Sequence, residues 1–181
     1  MTPDQDQTVD FRRTAGTFAT GVGIVSSVHD DIPLATTVNS FTTVSLRPTL
    51  VLTCLRHRSR LLAQIRDSGI LAVTVLAADQ QDLARWFADN RRPSHAAAFA
   101  GARVHRAPAT GCLVFSDGLA YFDCRVRDLS DQGDHAIVIG EALSYGPLHP
   151  AKAPLLYLHG AYRSIEATPP APSAARAGRT A

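Results

Sequence analysis

The chain is short of several things that would announce a function. Its 181 residues include one Met, one Trp and three cysteines, and its formal net charge is only +2. So small a basic excess gives no electrostatic footprint for nucleic acid or an anionic membrane. No run approaches the roughly 20 apolar residues of a membrane helix. Cys54, Cys112 and Cys124 form no C-x-x-C pair and have no histidine at metal-ligand spacing. The N-terminal "MTPDQDQTVD" has no apolar segment of the secretory kind. Together with the odd cysteine count this leads us to expect a cytoplasmic protein in a reducing compartment, with no metal.

Motifs of common enzyme classes are also missing. There is no G-x-G-x-x-G and so no Rossmann nicotinamide site. "GTFATGVG" spaces its glycines like a P-loop, but no Lys-Ser/Thr follows. There is no G-x-S-x-G elbow and no H-E-x-x-H. No nucleophile and base can be paired, so no side chain is assigned as catalytic. Hydride transfer between cofactors tolerates that lack, because it needs two rings held about 3–3.5 Å apart more than it needs an acid or base.

What is present is a single domain's worth of chain, 45% apolar and 19% charged. Asp10 caps an expected helix through Phe11, Thr14, Ala15 and Phe18, stopped at Gly21. Residues 22–28 read as a strand, "HDDIP" as a turn, and 36–50 as a second strand, followed by an apolar, central one at 49–57. Ser59 and Gly69 bracket a short helix, and "ILAVTVLA" is a further strand. Asp79 is expected to cap the helix that places Leu83, Trp86 and Phe87 on one face, where core packing outweighs a stacking role. Residues 91–99 have no period and read as a mobile loop. Four β-rich stretches follow. Residues 167–181 hold no aromatic or branched aliphatic side chain and are expected to be disordered. The domain should therefore span residues 10–166, between a flexible 1–9 segment and that tail. Seven or eight strands with about three helices, mostly without βαβ alternation, predict a β-rich α+β fold, a small and mostly antiparallel barrel.

The stretch "TTVNSFTTVSLRPTL" (36–50) carries far more small polar side chains than a half-buried strand requires. Short hydroxyls and backbone amides could approach a neutral, planar ring such as a flavin. Downstream, Ser59 lies at a helix start between Arg58 and Arg60, where free amides and the helix dipole favour an anion. The same residues would equally suit a solvated edge strand and a plain helix cap, and spacing does not decide between the two.

The order of several pieces does. "FATGVGIVSS", "TTVNSFTTVSLRPTLVLTCL", "RS" (58–59), "LAVTVLAADQQDLARWFA", "GDHAIVIGEA" and "PLLYLHGAYRSI" together resemble the flavin reductase family of FMN-binding split-barrel proteins. These are the reductase components of two-component flavin-dependent monooxygenases. The resemblance implies a split β-barrel, a homodimer with flavin near its interface, and NADH or NADPH as hydride donor, NADH being preferred. The flavin would be FMN or FAD. Thr37, Val38, Asn39 and Ser40 would line the ring and ribityl chain, and Cys54 would lie beneath it, unreactive. Arg58 and Ser59 would face the phosphate, and His135 of the Gly-Asp-His turn would meet the nicotinamide. Tyr162 is read as packing. At "RPT" relatives often have two prolines; Pro48 alone still fixes the local backbone. The resemblance further implies release of reduced flavin to a partner monooxygenase. Alternatives on the same fold are a pyridoxamine-phosphate-oxidase-like FMN oxidase and a non-enzymatic flavin- or haem-binding protein.

Overall fold

Two aspartates set the first hairpin. Asp30 and Asp31 have φ of 49° and 60°, the paired positive values of a two-residue turn whose twist matches the flanking strands. This is a computed structural model, and it describes residues 3–93 and 95–166. The elements in order are α1 (Pro3–Ala15), β1 (Thr20–Gly21), β2 (Gly23–His29), β3 (Ile32–Val38), β4 (Thr42–Leu46), β5 (Thr49–Arg56) and α2 (Arg60–Ser68). Then come β6 (Ile70–Val75), α3 (Gln81–Ala88), β7 (Val104–Arg106), β8 (Leu113–Phe115), β9 (Ala120–Gln132), β10 (His135–Pro147), β11 (Leu155–Leu158) and β12 (Ala161–Ser164).

Seven strands form one antiparallel sheet in the order β3-β2-β6-β9-β10-β5-β4. Smaller sheets join β1, β11 and β12, and β7 with β8. At about 4.8 Å per strand, a flat sheet would hold β3 and β5 about 24 Å apart. Instead Ser40, just past β3, hydrogen-bonds Cys54 of β5 at 2.9 Å. The sheet is therefore curled into a barrel. No ladder joins β3 to β5, so the barrel is split there, and residues 39–41 carry the chain across the split to β4 at the other edge. This corrects the expectation of one strand over 36–50: the segment is the end of β3, a bend, and an edge strand.

The barrel interior is filled by Val25, Val38, Val51, Leu55, Leu71, Val73, Ala136 and Val138, plugged by Leu61, Leu62 and Ile65 of α2. Each fully buried aliphatic side chain there contributes about 1.5–3 kcal/mol. A second cluster lies under α3, where the rings of Phe87, Phe99 and Phe115 meet at centroid distances of 5.0–6.0 Å. Gly140 is needed for close approach, because a Cβ there would lie 2.9 Å from the Cβ of Cys124.

Three expectations shift. α1 begins at Pro3 instead of Asp10 and ends at Ala15, after which Gly16 bonds back to Arg12 at 2.9 Å. Phe11 and Phe18 are 74% and 75% exposed, so their spacing buries neither against the described residues. Asp79 caps nothing: the bonding of Leu155 to Leu76 extends that backbone, a 3-10 turn (Ala78–Gln80) precedes α3, and Asp79 pairs with Lys152 at 2.8 Å. The 91–99 stretch is structured in its second half, where His95–Phe99 forms a 3-10 turn, buries Ala98 and Phe99, and takes the Trp86 indole N–H on the Ala98 carbonyl at 2.7 Å. Trp86 itself is half-exposed. The expected disordered tail, residues 167–181, lies outside the described residues.

Candidate active site

The hairpin at Asp30-Asp31 also dictates what β3 offers its surroundings. It makes His29 and Ile32 a hydrogen-bonded pair, and the unbroken register repeats this at 27/34, 25/36 and 23/38. Pro33, Ala35 and Thr37 are thus left with main-chain groups turned to the free edge. Pro33 has no amide to waste there. The Ala35 carbonyl accepts from the guanidinium of Arg92, as this alternation requires. Along this edge, at the split, runs a cavity of about 830 Å³.

Every residue that the resemblance assigned to flavin or nicotinamide lines it: Thr37, Val38, Asn39, Ser40, Cys54, Arg58, Ser59 and His135. Their roles in holding the wall differ. Thr37 donates its hydroxyl to the Ala84 carbonyl at 2.7 Å, and Thr36 donates to Phe87 at 3.3 Å. Both therefore tie β3 to the end of α3, so at Thr37 the main chain, not the hydroxyl proton, faces the cavity. Val38 points into the barrel core. Ser40 is engaged with Cys54, accepting from its amide at 2.9 Å and donating to its carbonyl at 3.1 Å. Asn39 is exposed on the bend. Burial pushes the Cys54 thiol pKa up, which keeps it protonated and poorly nucleophilic at neutral pH.

The other end of the cavity is cationic. Ser59 is the N-cap of α2, and its hydroxyl accepts from Leu62 N–H at a long 3.4 Å. The first turn of α2 contains no acidic residue to offset the helix dipole. Arg56, Arg58, Arg60 and Arg92 line the cavity, and among the described residues no carboxylate does. Burial and the charge of Arg60 pull the Arg92 pKa down. The Arg92 guanidinium is held against the Phe87 ring at 5.3 Å and donates to the Asp89 carbonyl at 2.7 Å.

His135 opens β10 after a two-residue hairpin in which Gly133 takes φ 58°. The tip is fixed by the His57 amide on the Asp134 carbonyl at 3.1 Å and by the Arg66–Asp131 ion pair. His135 Nδ1 lies 2.7 Å from Asp134 Oδ1, which directs Nε2 away from that partner. The same contact holds the Asp134 carboxyl pKa below its ordinary range.

Sequence reasoning missed Arg56, Asn90, Arg92 and Tyr157, which share the lining. Asn90 and Arg92 lie in an aperiodic loop that carries no local signal. Tyr162, read as packing, borders the cavity as well as the second core cluster.

The cavity combines a neutral main-chain edge and a cationic helix start with room at the upper end of the ~300–1,000 Å³ range of small-ligand sites, a combination that suits a nucleotide. The residues fit a flavin nucleotide: unladdered amides for the ring's polar edge, and a carboxylate-free anion site for its phosphate. The family model described as "Flavin reductase like domain" matches residues 15–166, and the chain belongs to that family. It is 37% identical over 157 residues to the reductase subunit HsaB of a flavin-dependent monooxygenase from Mycobacterium tuberculosis, covering 86% of this chain and 81% of that protein. It is 34% identical over 160 residues to an NADH-dependent FAD reductase of Streptomyces globisporus, covering 88% and 87%. Among solved structures it is similar to BorF, the flavin reductase component of a bacterial two-component tryptophan halogenase. There the TM-score is 0.83 at 34% identity, with 88% of this chain and 98% of that chain covered.

Proposed function

We propose that the chain is an NADH-dependent flavin reductase that reduces FMN or FAD and releases it to a partner monooxygenase. A flavin bound there would supply the hydride acceptor, the dihydronicotinamide the hydride and solvent the accompanying proton, so that oxidised nicotinamide and reduced flavin would leave. The chain's part is to place the two rings. The edge of β3 from Thr37 to Asn39 receives the flavin ring, Cys54 backs it, and Arg58 with Ser59 holds the phosphate. His135, on its pinned hairpin, positions the nicotinamide carboxamide with a hydrogen bond.

The observation that carries this reading is one cavity that joins the free edge of β3, the start of α2 and His135, with no carboxylate in its lining among the described residues. A site without an acid–base pair suits a reaction whose demand is ring alignment. NADH oxidation followed at the nicotinamide absorbance band tests it. The rate is expected to rise with added FMN or FAD and to be near background without either. A rate indifferent to flavin would overturn the reading.

The working unit in this reading is a homodimer. Phe11, Phe18, Val44, Leu46, Leu143 and Tyr145 are exposed large apolar residues, and β4 presents an uncovered sheet edge. Three free cysteines accord with a reducing cytoplasm. Among the described residues, no helix is long and apolar enough to cross a membrane.

A further inference from the structure

In the function proposed above the two rings rest on different elements. The flavin is held by the edge of β3 and the start of α2, and the nicotinamide by His135, the first residue of β10. Hydride transfer needs the rings about 3–3.5 Å apart, so these elements must be fixed to one another. His135 and Arg56 form the last pair of the β10–β5 ladder, and ladder ends open most easily. One main-chain bond continues past them, from the His57 amide to the Asp134 carbonyl at 3.1 Å.

Asp131 adds a side-chain tie from this hairpin to α2. It is the cross-strand partner of Ala136, so the two share a face of the hairpin. Ala136 is fully buried in the cluster that contains Leu61, Leu62 and Ile65 of α2. That face turns the Asp131 carboxylate toward α2, where it pairs with the guanidinium of Arg66 in the last turn of the helix. His57 brings Nδ1 to 3.6 Å from the same carboxylate oxygen. That is too long for a hydrogen bond, and it adds charge attraction only when the ring is protonated. We infer that Asp131 is a positioning residue for hydride transfer. Clasped to α2 through Arg66, it sets where His135, the neighbour of its own partner Ala136, stands relative to the flavin. The inference rests on the flavin reductase reading and on the nicotinamide role of His135 within it. Both members of the pair are solvent-accessible, so its worth is that of a surface ion pair and is expressed in geometry more than in stability.

Asp131→Asn and Arg66→Gln test this, each alone, with Asp131→Glu as the conservative variant. Initial rates at varied NADH and saturating FMN, FMN titrations and urea midpoints are measured for each. Asp131→Asn and Arg66→Gln are expected to lower kcat/KM for NADH roughly 2- to 5-fold, with FMN affinity and the urea midpoint nearly unchanged. Asp131→Glu keeps the carboxylate and should recover most of that loss. A double-mutant cycle with His135→Ala shows whether Asp131 acts through that histidine. In the His135→Ala background, Asp131→Asn should cost nothing further. A parent-like kcat/KM for Asp131→Asn, a loss that adds in full to that of His135→Ala, or FMN affinity that falls in step with kcat/KM would overturn the inference. Failure of the underlying reading is distinct: His135→Ala itself would then leave kcat/KM for NADH unchanged.

Discussion

The Ser40 hydroxyl is bonded to both main-chain groups of Cys54, accepting from the amide at 2.9 Å and donating to the carbonyl at 3.1 Å. One side chain thus does at the split what a strand ladder does elsewhere in the barrel. A further contact to the Thr53 hydroxyl at 3.2 Å completes its bonding. Ser40→Ala leaves the Cys54 amide without this partner, at a cost of about 1–3 kcal/mol. Urea unfolding is expected to show that loss, accompanied by weaker FMN binding because the bend at residues 39–41 is released. A variant as stable as the parent would mean the split is held by other contacts.

Ser59 combines two duties that one variant separates. Ser59→Ala removes the α2 cap and costs about 1 kcal/mol of stability. It also removes a hydroxyl from the proposed phosphate site. FMN binding is expected to weaken several-fold while riboflavin, which lacks the phosphate, is nearly unaffected. Equal losses for the two ligands would reduce Ser59 to a cap.

Burial, reinforced by the nearby charge of Asp123 and by Cys112, pushes the Cys124 thiol pKa up to about 12, against an ordinary 9.0. The folded state therefore keeps this proton where the unfolded chain sheds it. The linkage term is fully present below about pH 9 and is lost as pH rises toward about 12. Urea midpoints measured at about pH 8 and about pH 10.5 should fall more for the parent than for Cys124→Ala. The variant is less stable at the lower pH because it opens a cavity. Identical slopes would show that Cys124 contributes no such linkage.

His135→Ala is expected to raise KM for NADH or slow the hydride step by a few-fold to about tenfold, the worth of one positioning hydrogen bond. Flavin affinity should hardly move, since the contacts assigned to flavin lie between Thr37 and Ser59. An unchanged rate across pH would make His135 a turn residue only.

The β-rich fold, the existence of three helices and the α2 caps were legible because each has a local cause, whereas the cavity-lining positions were legible only through the family resemblance. Ser59 and Gly69 bracket α2 by capping chemistry, and Gly133 makes the β9–β10 turn. What could not be read depends on contacts distant in sequence. The break of the 36–50 segment comes from Ser40 reaching β5, a contact that a strand pattern does not encode. The hydroxyls of Thr36 and Thr37 resemble ligand groups in sequence but donate to α3 carbonyls. Arg92 reaches Ala35 from an aperiodic loop. Phe11 and Phe18 follow a helical period, yet nothing among the described residues covers them.

The central claim is that this protein turns flavin over as a substrate, using NADH. Anaerobic mixing of a small amount of protein with excess FMN or FAD and NADH tests it most directly. The flavin and nicotinamide absorbances are followed together. The account expects both to fall in step, one NADH for each flavin, through many flavins per subunit. Bleaching that stops at about one flavin per subunit would indicate a tightly held cofactor, and no bleaching at all a binding protein. Either result would contradict it.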